Sequence, residues 1–337
     1  MTSRRALPLL ALPAAAALVL AGCSGGDQGA GAPTADDGIS IVASTNVYGD
    51  IAKTVGGDDV DVTSVISDAS QDPHSFEADA RTQLAVSKAD VVIENGGGYD
   101  DFVDTLVDAS GTSATVLNAV EISGLDPDDE AGHSDDEHGD DEHSDEASDE
   151  ATAGGDDHGH DHGEFNEHVF YSLPSMAALA TAIADELGSL DPSNADAYTA
   201  NAESFGEQIA DLEAQAAEVE TAHGGESVAY TEPVPGYLFD AMGLENVTPE
   251  AFSEAIEEGT DVSPAVLNET LQLFSGGGVD LLAYNEQTSS PETEQVETAA
   301  TDAGVAIVPV TELLPSGDDY VSWQQSNIDA IKAALDQ

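Results

Sequence analysis

Twice along this chain, apolar runs of strand length alternate with segments of helical spacing, and that repetition limits the fold more than any other feature. The first series reads ISIVAS, VYGDIAKTVGG, VDVTSVI, SFEADARTQLAVSKA, DVVIENGG, YDDFVDTLVDAS and ATVLNA. The second reads SVAYT, PGYLFDAMG, SPAVLNETLQLFSGGG, VDLLAYN, PETEQVETAATDAG, VAIVPV and DYVSWQQSNIDAIKAAL. Short, nearly continuous apolar strands separated by helices belong to parallel sheets covered on both faces. The expected class is therefore α/β, with two lobes that each hold a central, mostly parallel sheet flanked by helices.

Between the two series lies a helical stretch. Met176, Leu179, Ile183 and Leu187 form one stripe, and Tyr198, Phe205, Ile209, Leu212 and Val219 continue at heptad-like spacing over residues 191–223. Some thirty helical residues span about 45 Å, enough to run the length of a two-lobed molecule. The expected division is an N-terminal lobe over 38–188, a rigid linker helix over 189–223 and a C-terminal lobe over 224–337.

One interruption breaks the first lobe. Over residues 121–167 charge, Gly and Ser replace aliphatic side chains, and such a segment cannot bury enough apolar surface to offset its ordering entropy. It is expected to be a disordered loop. It holds six of the nine histidines, His133, His138, His143, His158, His160 and His162, with His168 just beyond. Alternating imidazoles among carboxylates offer many weak, exchangeable sites for a divalent metal.

Charge excludes one class of partner. The chain carries 68 acidic and six basic residues, a formal charge of −62, so no basic patch can neutralise phosphates and nucleic acid is not a partner. The acidic excess extends well beyond the loop, a pattern resembling proteins that work in high salt.

The N-terminus predicts export. Arg4 and Arg5 precede an apolar run ending in Leu20-Ala21-Gly22-Cys23, followed by a Gly- and Ser-rich stretch. A basic start, an apolar core and small residues before the cut describe a signal peptide over 1–22, and LAGC resembles a lipobox in which Cys23 takes the lipid. Residues 23–37 then read as a flexible tether. The expectation is a protein lipid-anchored at the outer face of the cell membrane, with Sec and twin-arginine export both open. Cys23 is the only cysteine, which removes disulfides, thiolate zinc sites and a cysteine nucleophile.

Two histidines adjoin ordered structure, His74 in DPHSFEADA and His168 in EHVFYSLPS. At these residues the sequence resembles the cluster A-I solute-binding proteins of zinc and manganese ABC importers. The block PHSFE…ADVVIENGGGYDDF carries the likeness, which runs from about residue 39 to 335 with the acidic segment as its interruption. The resemblance implies four metal ligands, two per lobe. They are His74, His168 in HVFYSLPS (Phe170 where relatives carry Trp, and no Asp-Pro), Glu232 in TEPVPGY, and Glu312 in VTELLPS. Glu286 in YNEQT competes with Glu312 for the fourth place.

The family likeness further implies a monomeric receptor that carries Zn2+, with Mn2+ the alternative, to a membrane permease and its ATPase. Two imidazoles and two carboxylates suit either ion, and the histidine-rich loop favours zinc. The same likeness leaves open a manganese receptor, or a surface lipoprotein that buffers metal or mediates adhesion without a transporter. An enzyme is not expected, since His-Glu-x-x-His, Gly-x-Ser-x-Gly and phosphate-loop motifs are all missing from the sequence.

Overall fold

A computed structural model describes residues 38–68, 71–126 and 165–337. The expectations for the signal peptide, the tether, Cys23 and the six loop histidines lie outside the described residues.

Two parallel sheets form, as the alternation predicts, each of four strands; the sequence pattern supplies four for the first and three for the second, which gains the two-residue strand Glu245–Asn246. In the first, β1 (Ile39–Thr45), β2 (Val60–Ile66), β3 (Val91–Glu94) and β4 (Thr115–Asn118) take the order β2-β1-β3-β4. In the second, β5 (Ser227–Tyr230), β6 (Glu245–Asn246), β7 (Leu281–Asn285) and β8 (Ala306–Val310) repeat it as β6-β5-β7-β8. Each order reverses direction beside its first strand, β1 or β5. In open parallel sheets that switch point leaves a crevice at the carboxyl ends of the strands, where ligands bind.

Helices cover the sheets. The first lobe has α1 (Asn46–Gly56), α2 (Ala80–Val86), α3 (Phe102–Ser110) and α4 (Ala119–Ser123), followed by α5 (Leu173–Leu190) and α6 (Ala195–His223). The second has α7 (Gly236–Ala241), α8 (Glu250–Glu257), α9 (Pro264–Ser275), α10 (Pro291–Ala303) and α11 (Tyr320–Leu335). Gly49 lets α1 lie close on the sheet edge, since a Cβ there would meet Ser64 Oγ at 2.1 Å. Among the described residues no helix is long and apolar enough to cross a membrane.

The long helix α6 buries Tyr198, Ala202, Phe205, Ile209, Leu212, Ala216 and Val219. These alternate in steps of four and three, the seam of a helix packed along its whole length. It rests on α1, α5 and α11, so helices from both halves share its apolar face. One apolar core accordingly runs from Ile41 and Val91 through Phe205 and Leu212 to Leu281 and Ile331.

Besides the added Glu245–Asn246 strand, the structure differs from the sequence reading at three places. The helix expected across 76–89 is confined to Ala80–Val86, started by Asp79, whose carboxylate accepts from the N–H groups of Arg81 and Thr82. The acidic interruption is narrower than 121–167, because α4 extends to Ser123 and Phe165, Asn166 and Glu167 pack at the lobe junction. Finally, α8 occupies a stretch to which no element was assigned, and it brings a further carboxylate to the cleft.

Candidate metal centre

Each of the four expected ligands follows a strand or stands ahead of a helix. His74 sits in the turn after β2, held by its N–H to Asp72 Oδ1 at 3.0 Å. Tyr99 follows β3 through Gly96, Gly97 and Gly98, whose φ values of 78°, 64° and 92° are open to glycine and costly for other residues. Glu232 follows β5, Asn285 closes β7, Glu312 follows β8, and His168 stands ahead of α5.

Ligand atoms of His74, His168 and Glu312 lie within 4.8 Å of one another. Glu232 is tied to this set by Asn285, whose Nδ2 donates to Glu232 Oε2 at 2.7 Å and to Glu312 Oε1 at 2.8 Å. Thr288 Oγ1 also donates to Glu232, and Tyr99 OH donates to Glu312 Oε2 at 3.3 Å. Of the four residues expected from the resemblance, the structure gathers the ligand atoms of His74, His168 and Glu312 and sets Glu232 next to them through Asn285. The competitor Glu286 is exposed and lines a separate shallow pocket with Tyr284 and Glu294, away from this group.

The imidazole of His168 is oriented from behind. Its Nδ1 is 2.8 Å from Asn166 Oδ1, while Asn166 Nδ2 donates to Pro233 O at 2.9 Å. An amide oxygen only accepts, so Nδ1 carries the hydrogen and Nε2 keeps the lone pair a metal needs. Tyr237 OH donates to Asn166 O at 2.6 Å, so the residues beside Glu232 help to place His168. Tyr99 and Phe170 pack edge-on to the ring at 5.7 and 5.6 Å.

Electrostatics differ between the two halves. Burial, then the neighbouring His74, hold His168 well below the ordinary histidine value, which keeps it neutral. Burial pushes Glu232 up to about 7 against the hydrogen bonds from Thr288 and Asn285. Burial and the nearby Glu232 push Glu312 up to about 8. A divalent ion would reverse this, displacing protons from the carboxylates.

Asn285, Thr288, Tyr99, Asn166, Glu167 and Glu257 were missed as members of the centre by the sequence reading. Tyr99 and Asn285 were legible only as residues at strand ends. Glu257 belongs to α8, and nothing in the local pattern marks it. It approaches His168 Nδ1 at 3.7 Å, and burial with the adjacent Glu167 charge raises it far above the carboxylate range.

Comparison with known proteins agrees with this architecture. The model of the family described as "ZnuA: Zinc-uptake complex component A periplasmic" matches residues 41–334. The manganese-binding lipoprotein MntA of Halalkalibacterium halodurans is 25% identical over 331 residues, covering 95% of this chain and 96% of its own. The zinc-binding lipoprotein AdcA of Streptococcus pneumoniae is 25% identical over 97% of this chain and 61% of its own. Among solved structures, the periplasmic zinc-binding protein TroA from Treponema pallidum superposes with a TM-score of 0.67 at 17% identity, over 88% of this chain and 99% of that one. At that identity the likeness is one of fold.

Proposed function

The chain belongs to the periplasmic zinc-uptake component A family, and from that premise we propose that it is the extracytoplasmic receptor of an ABC importer, carrying one divalent cation between its lobes. The ion is cargo: it is bound, held and passed on unchanged. The observation that carries the reading is the approach of His74, His168 and Glu312 ligand atoms to within 4.8 Å, with Glu232 joined to them through one Asn285 amide.

In this reading His74 and His168 supply neutral imidazole nitrogens, and Glu232 and Glu312 supply the two negative charges that balance a dication. Asn285, Thr288 and Tyr99 hold the carboxylates in place through their hydrogen bonds, as second-layer partners of metal ligands do. Zinc is the preferred cargo and manganese the alternative. The imidazole pair and the histidine-rich segment, His133, His138, His143, His158, His160 and His162, favour zinc, while MntA is named for manganese binding and AdcA for zinc binding.

Lipidation at Cys23 would keep the receptor at the outer face of the membrane beside a permease and ATPase, in keeping with relatives named lipoproteins. Release to the permease requires the halves to shift only slightly, because direct bonds join them near the site. Tyr171 OH donates to Thr311 O at 2.8 Å, Tyr320 OH to Phe170 O at 2.8 Å, and Asn46 Nδ2 to Leu314 O at 3.0 Å.

Competitive metal titration under native mass spectrometry tests the proposal, on the full chain and on a variant lacking residues 126–164. One tightly held zinc is expected in both, with additional weak zincs in the full chain alone. A shortened protein without a tight zinc would move the primary site into the histidine-rich segment. Tight manganese with weak zinc would overturn the choice of cargo and leave the fold of the site intact.

A further inference from the structure

A second group of ligand atoms stands in front of the first. Glu167, Glu257 and His74 also bring ligand atoms within 4.8 Å of one another, and they come from both sides of the cleft. The cleft has a volume of about 1180 Å³, and its walls include His74, Glu167 and Glu257 but none of His168, Glu232 and Glu312. Those three are 1%, 3% and 3% exposed, so they lie behind the wall, and His74 is the one residue common to both groups.

Two further observations point to a cation. Glu257 Oε1 is buried without a hydrogen-bond partner, its nearest positive edge being His168 Nδ1 at 3.7 Å, a nitrogen already committed to Asn166. The Glu167 side chain is only 5% exposed, with His74 Nδ1 3.9 Å from its Oε1 and the Glu257 carboxyl in hydrogen-bond contact with it. The residues lining the cleft include no Lys or Arg. Two carboxyl groups brought together from opposite sides, with His74 beside them and no Lys or Arg in the lining, offer oxygen and nitrogen ligands to a cation entering the cleft.

We infer that Glu167, Glu257 and His74 form an outer station for a divalent cation, the first position an incoming ion takes before His74 carries it to the inner set. The station rests on the reading of the inner set as the cargo site. Carboxylate oxygens exchange a cation's water readily, and nearby acids such as Asp72, Glu254 and Asp261 concentrate cations at the mouth. The His74 imidazole, with 22% of its side chain exposed, is the only inner ligand with a face on the cleft.

Stopped-flow mixing of the metal-free full-length chain with Zn2+ tests this, following the fluorescence of the single tryptophan. Trp323 stacks on Phe170, which packs against His168, so its signal reports filling of the inner set. Glu257→Gln and Glu167→Gln should each slow association about tenfold, and slow chelator-driven dissociation by a similar factor, because one station serves both directions. Glu258→Gln, an exposed acid on the same wall, should change neither rate by more than about twofold. The station is overturned if the Glu257 and Glu167 variants associate at the wild-type rate. It is equally overturned if Glu258→Gln slows association as much as they do, which would reduce the effect to general attraction by the acidic cleft. Failure of the wild-type chain to hold any divalent ion tightly would instead remove the inner site, and with it the function proposed above.

Discussion

In the proposed metal site the two halves of the molecule contribute opposite chemistry. The first half supplies imidazoles, His74 and His168, and the second supplies carboxylates, Glu232 and Glu312, although both are built on the same strand order. Burial acts on the two sets with opposite sign. It keeps His168 neutral by lowering its proton affinity and keeps Glu232 and Glu312 partly neutral by raising theirs. The buried set of His168, Glu232 and Glu312 holds little net charge until a dication arrives. The lesson is that burial alone prepares one half to bind at once and the other to bind by giving up protons.

The harshest way to break this comparison is to remove a ligand from either half. His168→Ala and Glu312→Ala should each weaken zinc binding by more than about a hundredfold, beyond the 10- to 100-fold typical of lost second-layer partners. Competition against a chelator of known affinity checks this, and a loss confined to one half would overturn the shared site.

Next in size is the residue that links the two carboxylates. Asn285→Leu removes the shared donor and should weaken zinc binding by about 10- to 100-fold. Because both carboxyls are buried, the metal-free protein should also lose about 1–3 kcal/mol of stability. Urea unfolding of metal-free protein beside the binding measurement separates the two effects.

The asymmetry also predicts a pH dependence. Glu232 and Glu312 titrate near 7 and 8 in the folded chain and near 4.5 when unfolded. The folded state therefore holds more protons than the unfolded state, and the stability from this term is present below 4.5 and lost as pH rises towards 8. His168 has the opposite shift, so its term falls as pH drops below 6.5. Above 6.5 the carboxylates alone decide, and the metal-free protein should lose stability between pH 6.5 and 8. Zinc binding should release protons there and tighten with rising pH. Calorimetry in buffers of different ionisation enthalpy measures the release, and zero proton release at pH 7 would contradict the carboxylate half of the comparison.

The smallest expected effect comes from a histidine outside the site. His223, at the end of α6, faces Glu226 at 3.1 Å and Asp336 at 3.2 Å, with one carboxylate on each ring nitrogen. Both partners are substantially exposed, so His223→Gln should cost about 1 kcal/mol or less and leave zinc affinity within about twofold. A large loss of affinity would mean that the far end of the long helix sets the geometry of the cleft.

Much of this was legible in order along the chain. His74 and Glu312 were legible through the family likeness, which picks out the PHSFE turn and the acid after the last apolar strand. Glu286 follows a strand equally well, and only its place on the surface separates the two. Asn285 reads as an ordinary strand end, and its pairing with two carboxylates depends on where β5, β7 and β8 stop side by side. Glu257 and Glu167 have no local signal at all.

By itself, then, the sequence determined two parallel α/β halves, the long helix between them and the residue types available for an ion, because strand length, helical period and strand-end position are properties of neighbouring residues. Tertiary structure alone decided which acids converge, which nitrogen of His168 is left for a metal, and which carboxylates meet at the mouth. Those outcomes depend on distances between segments far apart in the chain, and on burial that shifts proton affinities in opposite directions for acids and imidazoles.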